Sequence, residues 1–96
     1  PQNFDEFINL RELNLSDIGL KEYPTAINKL VNLEWLDLSY NQIDFLSDGI
    51  ENLKNLRYLD LSEADLFDVN RKIGQLSKLN YLDLSFCLLT AVLQHR

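Results

Sequence analysis

The chain holds one cysteine and one histidine, Cys87 and His95, and thiol-based nucleophilic chemistry or a Cys/His metal site would have to begin with them. A thiolate needs a base or an electropositive setting beside it to attack. His95 stands eight residues further on, next to the last residue Arg96, where a fraying end gives neither a dependable base nor a ligand. One Cys and one His make no metal cluster, and a lone Cys makes no internal disulfide. The three glycines are scattered at 19, 49 and 74, so no glycine-rich loop is present to cradle a phosphate. Asn14-Leu15-Ser16 fits the glycosylation acceptor pattern, but both polar positions have another explanation below. The sequence therefore leads to no catalytic residues, no metal and no cofactor.

Ninety-six residues suit one small domain, and 46% apolar content provides a core. No stretch reaches the ~20 apolar residues of a membrane span. The chain opens on Pro1, has no Met and shows no signal segment, and reads as a piece of a longer chain. A net charge of −6 argues against nucleic acid, which needs Lys and Arg to neutralise phosphate, and against anionic membrane surfaces. With a single cysteine the fold does not depend on an oxidising compartment. A cytoplasmic setting is the expectation, with an extracellular one left open.

The elements that would position any site come from internal repetition. "LRELNLSDIGL" (10–20), "LEWLDLSYNQI" (33–43), "LRYLDLSEADL" (56–66) and "LNYLDLSFCLL" (79–89) each begin 23 residues after the last. The intervening stretches share apolar residues at four places, among them Ile27, Ile50 and Ile73. "LNLS" and "LDLS" alternate apolar and polar, which predicts a strand with one buried face. The stretches that follow space their apolar residues by three and four, as at Ile27, Leu30 and Val31, which predicts a short helix or 3₁₀ turn. Ser47 or Asp48, and Asn70, are candidate N-caps. One strand and one short helix cannot bury their own leucines, whereas stacked neighbours can.

These segments resemble the leucine-rich repeat pattern L-x-x-L-x-L-x-x-N/C-x-L, over essentially the whole chain. The 23-residue period and Pro24 are similar to the intracellular class best known from Ras-group scaffold proteins. The resemblance implies an α/β solenoid: a right-handed, curved parallel β-sheet on the concave side and short helices or 3₁₀ turns on the convex side. The chain divides as one domain, 1–96, with a partial repeat at 1–9, repeats at 10–32, 33–55 and 56–78, and a partial repeat at 79–96. Phe4 and Phe7 at one end, and Leu89, Val92 and Leu93 at the other, fall in the partial repeats, so marginal stability or end-to-end self-association is expected.

In this family the position of Cys87, shared by Ile18, Asn41 and Ala64, faces inward, and an Asn there bonds the backbone of the turn. Only Asn41 can do so; elsewhere the turn amides must find water or other backbone partners. Cys is the family's accepted substitute, a small buried hydrophobe with a weak donor, so Cys87 should be shielded from thiol reagents.

The resemblance also implies a protein-binding module that works through its concave face. The second, third, fifth, seventh and eighth residues of each strand segment should point to solvent there, and they carry seven acids and only two bases. The candidate contact residues are Glu12, Glu34, Trp35, Asp37, Tyr40, Arg57, Tyr58, Asp60, Tyr81, Asp83 and Phe86. A basic protein or peptide is the matching partner. The column Asp37–Asp60–Asp83 would stack like charges about 4.8 Å apart, and the column Trp35–Tyr58–Tyr81 could take an Arg face-on. Framework preference for "LDLS" and cross-strand packing of the rings explain the same columns without a ligand. The other functional reading is a structural segment of a larger receptor or effector whose activity lies elsewhere.

Overall fold

The computed structural model describes residues 7–66, 68 and 71–87. Four short strands, β1 (Glu12–Asn14), β2 (Trp35–Asp37), β3 (Tyr58–Asp60) and β4 (Tyr81–Asp83), form one sheet in the order of the sequence. All pairs are parallel and in repeat register: Leu13 lies beside Leu36, Leu36 beside Leu59, and Leu59 beside Leu82. The alternation of "LDL" sends Leu36, Leu38, Leu59 and Leu61 into a fully buried core. Each full burial of a leucine is worth about 1.5–3 kcal/mol, and the neighbouring repeat supplies the cover.

Three five-residue 3₁₀ helices, Thr25–Lys29, Asp48–Asn52 and Arg71–Gln75, carry the chain back on the other side. Ile27 and Ile50 are fully buried from them. Of the two caps expected for the second helix, Ser47 holds the position, its side chain accepting from the Gly49 amide, and Asp48 is the first helical residue. The first helix starts after Pro24 with no side-chain cap. Asn70, Phe4, Leu89, Val92 and Leu93 lie outside the described residues; Phe7 is exposed.

The second helix also joins a polar network that the repeat pattern does not contain. Tyr23 donates to Asn28 at 2.7 Å, Asn28 donates to the Ser47 hydroxyl at 3.1 Å, and Ser47 accepts from the Gly49 amide. Tyr23 is buried, and burial raises its phenol pKa well above 10, so it remains a neutral donor. A Cβ on Gly49 would come within 2.8 Å of Asn28 Cγ; glycine is needed there for space. Gly49→Ala is expected to displace Asn28 and cost about 1–3 kcal/mol in urea denaturation. In the Asn28→Ala background the same change should cost much less, a non-additivity that a double-mutant cycle measures; equal costs would disprove the clash.

Candidate functional site

The concave site is built on three-residue strands, and the last residue of each, Asn14 in β1 and an aspartate in the other three, explains why they are so short. Asp37 Oδ1 accepts from the Ser39 amide at 2.9 Å and from its hydroxyl at 2.6 Å. Asp60 with Ser62, and Asp83 with Ser85, repeat the arrangement. In β1 the amide oxygen of Asn14 accepts from the Ser16 amide. Each such turn draws one amide away from the ladder and halts the strand. The next residue is left-handed in every repeat: Asp17, Tyr40, Glu63 and Phe86 have φ between 53° and 60°. That conformation costs a bulky residue roughly 1 kcal/mol or more. Across the gap the ladder resumes, with the amides of Asp17, Tyr40 and Glu63 bonded to the carbonyls of Ser39, Ser62 and Ser85.

These bonds change the reading of two columns. The serines do not all face solvent: Ser39 is buried, its hydroxyl turned onto Asp37. Nor is the aspartate column simply a stack of like charges. The Ser85 hydroxyl and amide hold the Asp83 carboxyl below its ordinary value of 3.8, with a smaller contribution from the Tyr81 hydroxyl. The stability carried by that ionised carboxylate is present above pH 3.8 and is lost as the pH falls through the lowered value.

The aromatic column forms a ladder. Trp35 and Tyr58 stack with ring centroids 4.9 Å apart at 8°, and Tyr58 and Tyr81 at 4.4 Å and 6°. Trp35 and Tyr58 are consequently half-buried, and only Tyr81, 43% exposed, is open to solvent to the degree the sequence suggested. Both faces of Tyr58 are covered, so a face-on guanidinium has no place there. Its hydroxyl leans toward Asp60 Oδ2 at 3.4 Å, as that of Tyr81 does toward Asp83 at 3.3 Å. Desolvation, followed by the charge of Asp60, pushes the Tyr58 pKa up to about 12. Each stacked pair adds about 0.5–1.5 kcal/mol beyond buried area.

Glu12, Glu34 and Arg57 lie on the same face, with Glu34 accepting from Arg11 at 2.8 Å across two repeats. Tyr40 and Phe86 stand at the rim of this face, 58% and 77% exposed. Among the described residues no group of three His, Cys, Asp or Glu side chains is placed to hold a metal, and no helix is long and apolar enough to cross a membrane.

The inward position at the turn is met in four ways. Asn41 is buried; its oxygen accepts from the amides of Ile18 and Leu20, and its nitrogen donates to the carbonyls of Leu15, Leu38 and Ser39. At Ala64 the main chain substitutes: the Ala64 carbonyl accepts from Ile43 at 2.8 Å, and Asp65 turns left-handed at φ 62°. Cys87 donates its thiol to the Leu61 carbonyl at 3.1 Å, as Asn41 does to Leu15, but it is only half-buried. Ile18 departs from the inward rule; it is 57% exposed, beside β1, which is the edge strand of the sheet among the described residues. A second ladder went unread in the sequence: Asn32 donates to the Ile8 carbonyl, Asn55 to that of Val31, and Lys78 to the Asn55 side chain. The 23-residue spacing of Asn32 and Asn55 was its available signal.

A parallel sheet with one strand per 23 residues and 3₁₀ turns behind it defines a repeat solenoid of the α/β class. The family model for the leucine-rich repeat matches residues 8–66, more than half of the 96, and the chain belongs to the leucine-rich repeat family. It is similar to a solved leucine-rich repeat protein of Leptospira interrogans, at 28% identity and a TM-score of 0.72 over 88% of this chain. It spans 28% of that protein's length. No curated protein matches the chain. The leucine-rich repeat fold is commonly a protein-interaction module, and its members are generally non-enzymatic scaffolds.

The turn geometry ranks two substitutions. Asn41→Ala leaves the part-buried amides of Ile18 and Leu20 without their acceptor, and is expected to cost about 3 kcal/mol. Cys87→Ala removes one weak bond and is expected to cost less than about 1.5 kcal/mol. Denaturant midpoints of the two variants at neutral pH check the order.

Proposed function

We propose that this chain is a protein-binding module whose concave face takes a basic protein or peptide. The observation that carries the reading is the charge of that face: its twenty positions hold seven acids and two bases, while the rest of the chain holds eight and seven. Long-range attraction of this kind acts on encounter and weakens with salt. The exposed Tyr40, Tyr81 and Phe86 offer anchors of the type enriched at interface centres. A cytoplasmic setting belongs to the same proposal, supported by the absence of any second cysteine to pair with Cys87.

A structural segment of a larger receptor or effector is the competing reading, and one observation favours it. The Asp–Ser turns and the ring ladder satisfy one another within the chain, so the columns have a use without any ligand. End-to-end association is a separate proposal, supported by exposed Phe7, Ile8 and Ile18 near β1 and Leu82 in β4; an equilibrium sedimentation profile that stays monomeric at high concentration would remove it.

Titration of the isotope-labelled chain with a capped oligo-lysine peptide separates binder from spacer. Binding is expected to shift the amides of β1–β4 and to weaken severalfold between low and physiological salt. Shifts spread over the 3₁₀ helices, or none at all, would defeat the concave reading.

A further inference from the structure

The concave face is not uniform, and its one irregular rung lies at Trp35. In β3 and β4 a tyrosine two residues before the aspartate leans its hydroxyl on Oδ2, while serine occupies Oδ1. In β2 that tyrosine is Trp35, which has no hydroxyl. Asp37 Oδ1 still serves Ser39, but Oδ2 accepts no hydrogen bond from the described residues. The ladder also ends here. One face of Trp35 lies on Tyr58, and the other turns toward β1, where the register partner is the exposed Glu12. No ring or cation covers that second face among the described residues. Arg11, just before β1, is occupied by Glu34.

An uncovered indole face, an acceptor without a donor and a second carboxylate thus meet on one edge of an acidic surface. A cation meets all three, and a flat one meets them best. A guanidinium can lie parallel to the indole, at the spacing the Tyr58 ring takes on the opposite side, and direct its edge N–H groups at carboxylates. An ammonium is compact and more strongly hydrated, and it offers no plane to stack. Resting on the reading of the concave face as a site for basic polypeptides, we propose that Trp35, Glu12 and Asp37 form an arginine-selective subsite. Tyr58 and Tyr81 contribute by holding the indole in place. One side chain of the ladder thereby sets which basic residue is preferred, while the overall charge sets how strongly any basic segment is drawn in.

The test uses capped oligo-arginine and oligo-lysine hexapeptides as probes, titrated calorimetrically into the chain and its variants. The arginine peptide is expected to bind at least threefold more tightly and to quench the emission of Trp35, the only tryptophan. Trp35→Tyr retains a ring for the ladder and supplies a hydroxyl for Asp37; it should still bind both peptides but lose the preference. Asp37→Asn, Asp60→Asn and Asp83→Asn remove the same charge and keep an acceptor for serine, as Asn14 shows in β1. Asp37→Asn should weaken the arginine peptide about fivefold, and each of the others about twofold. Equal affinity for the two peptides, a preference that survives Trp35→Tyr, or equal losses in the three asparagine variants would overturn the subsite and leave the concave reading standing. Failure of both peptides to bind would overturn both.

Discussion

No repeat in this chain can hide its own leucines, and that single constraint governs the structure. A three-residue strand and a five-residue 3₁₀ helix present one apolar edge each, far less than a closed core requires. Leu36, Leu38, Leu59 and Leu61 reach full burial because a like repeat lies on either side. Stability is then a sum of nearest-neighbour interfaces along one axis. The sheet order follows the chain order for the same reason.

The backbone at each turn must also be satisfied, and here the repeats are not copies. A side-chain amide at Asn41, a main-chain carbonyl at Ala64 and a thiol at Cys87 meet related demands. Polar groups leaving water need some partner, but the demand does not specify which atom provides it. The residue after Ala64 takes a left-handed conformation so that the peptide can serve, and Gly19 after Ile18 is left-handed as well. After Asn41 no such turn occurs.

The solenoid, its period and its inward leucines were legible in the sequence because a period of 23 residues brings leucine back at three positions of each strand segment, from Leu10, Leu13 and Leu15 to Leu79, Leu82 and Leu84. The concave columns were legible as positions but not as environments. Alternation places Trp35 and Tyr58 on the solvent side; it does not reveal that in-register parallel strands bring like rings within stacking distance and half-bury them. It likewise places Ser39 outward, while the hydroxyl's bond to Asp37 buries it. The network of Tyr23, Asn28 and Ser47 escaped for a different reason: it joins residues of adjacent repeats that hold no shared motif, and only the space left by Gly49 allows it.

The in-register pairing of the strands turns the concave face into a ruler. Its marks fall about 4.8 Å apart, one per strand, whereas an extended polypeptide advances about 3.3 Å per residue. The two scales fall back into step after two strands and three residues, at about 9.6 and 9.9 Å. Tyr40 and Phe86 are two strands apart, as are Trp35 and Tyr81. In a β-strand the third side chain on points to the opposite face, but a polyproline II segment, with three residues per turn at about 3.1 Å each, returns to the same face after about 9.3 Å. Laid across the strands, it could meet both members of either pair and would run out of phase with Tyr58 and Glu63 between them. Adding a repeat would lengthen the scale by one mark and shift this coincidence, so the number of repeats, as well as their side chains, encodes what the surface can measure.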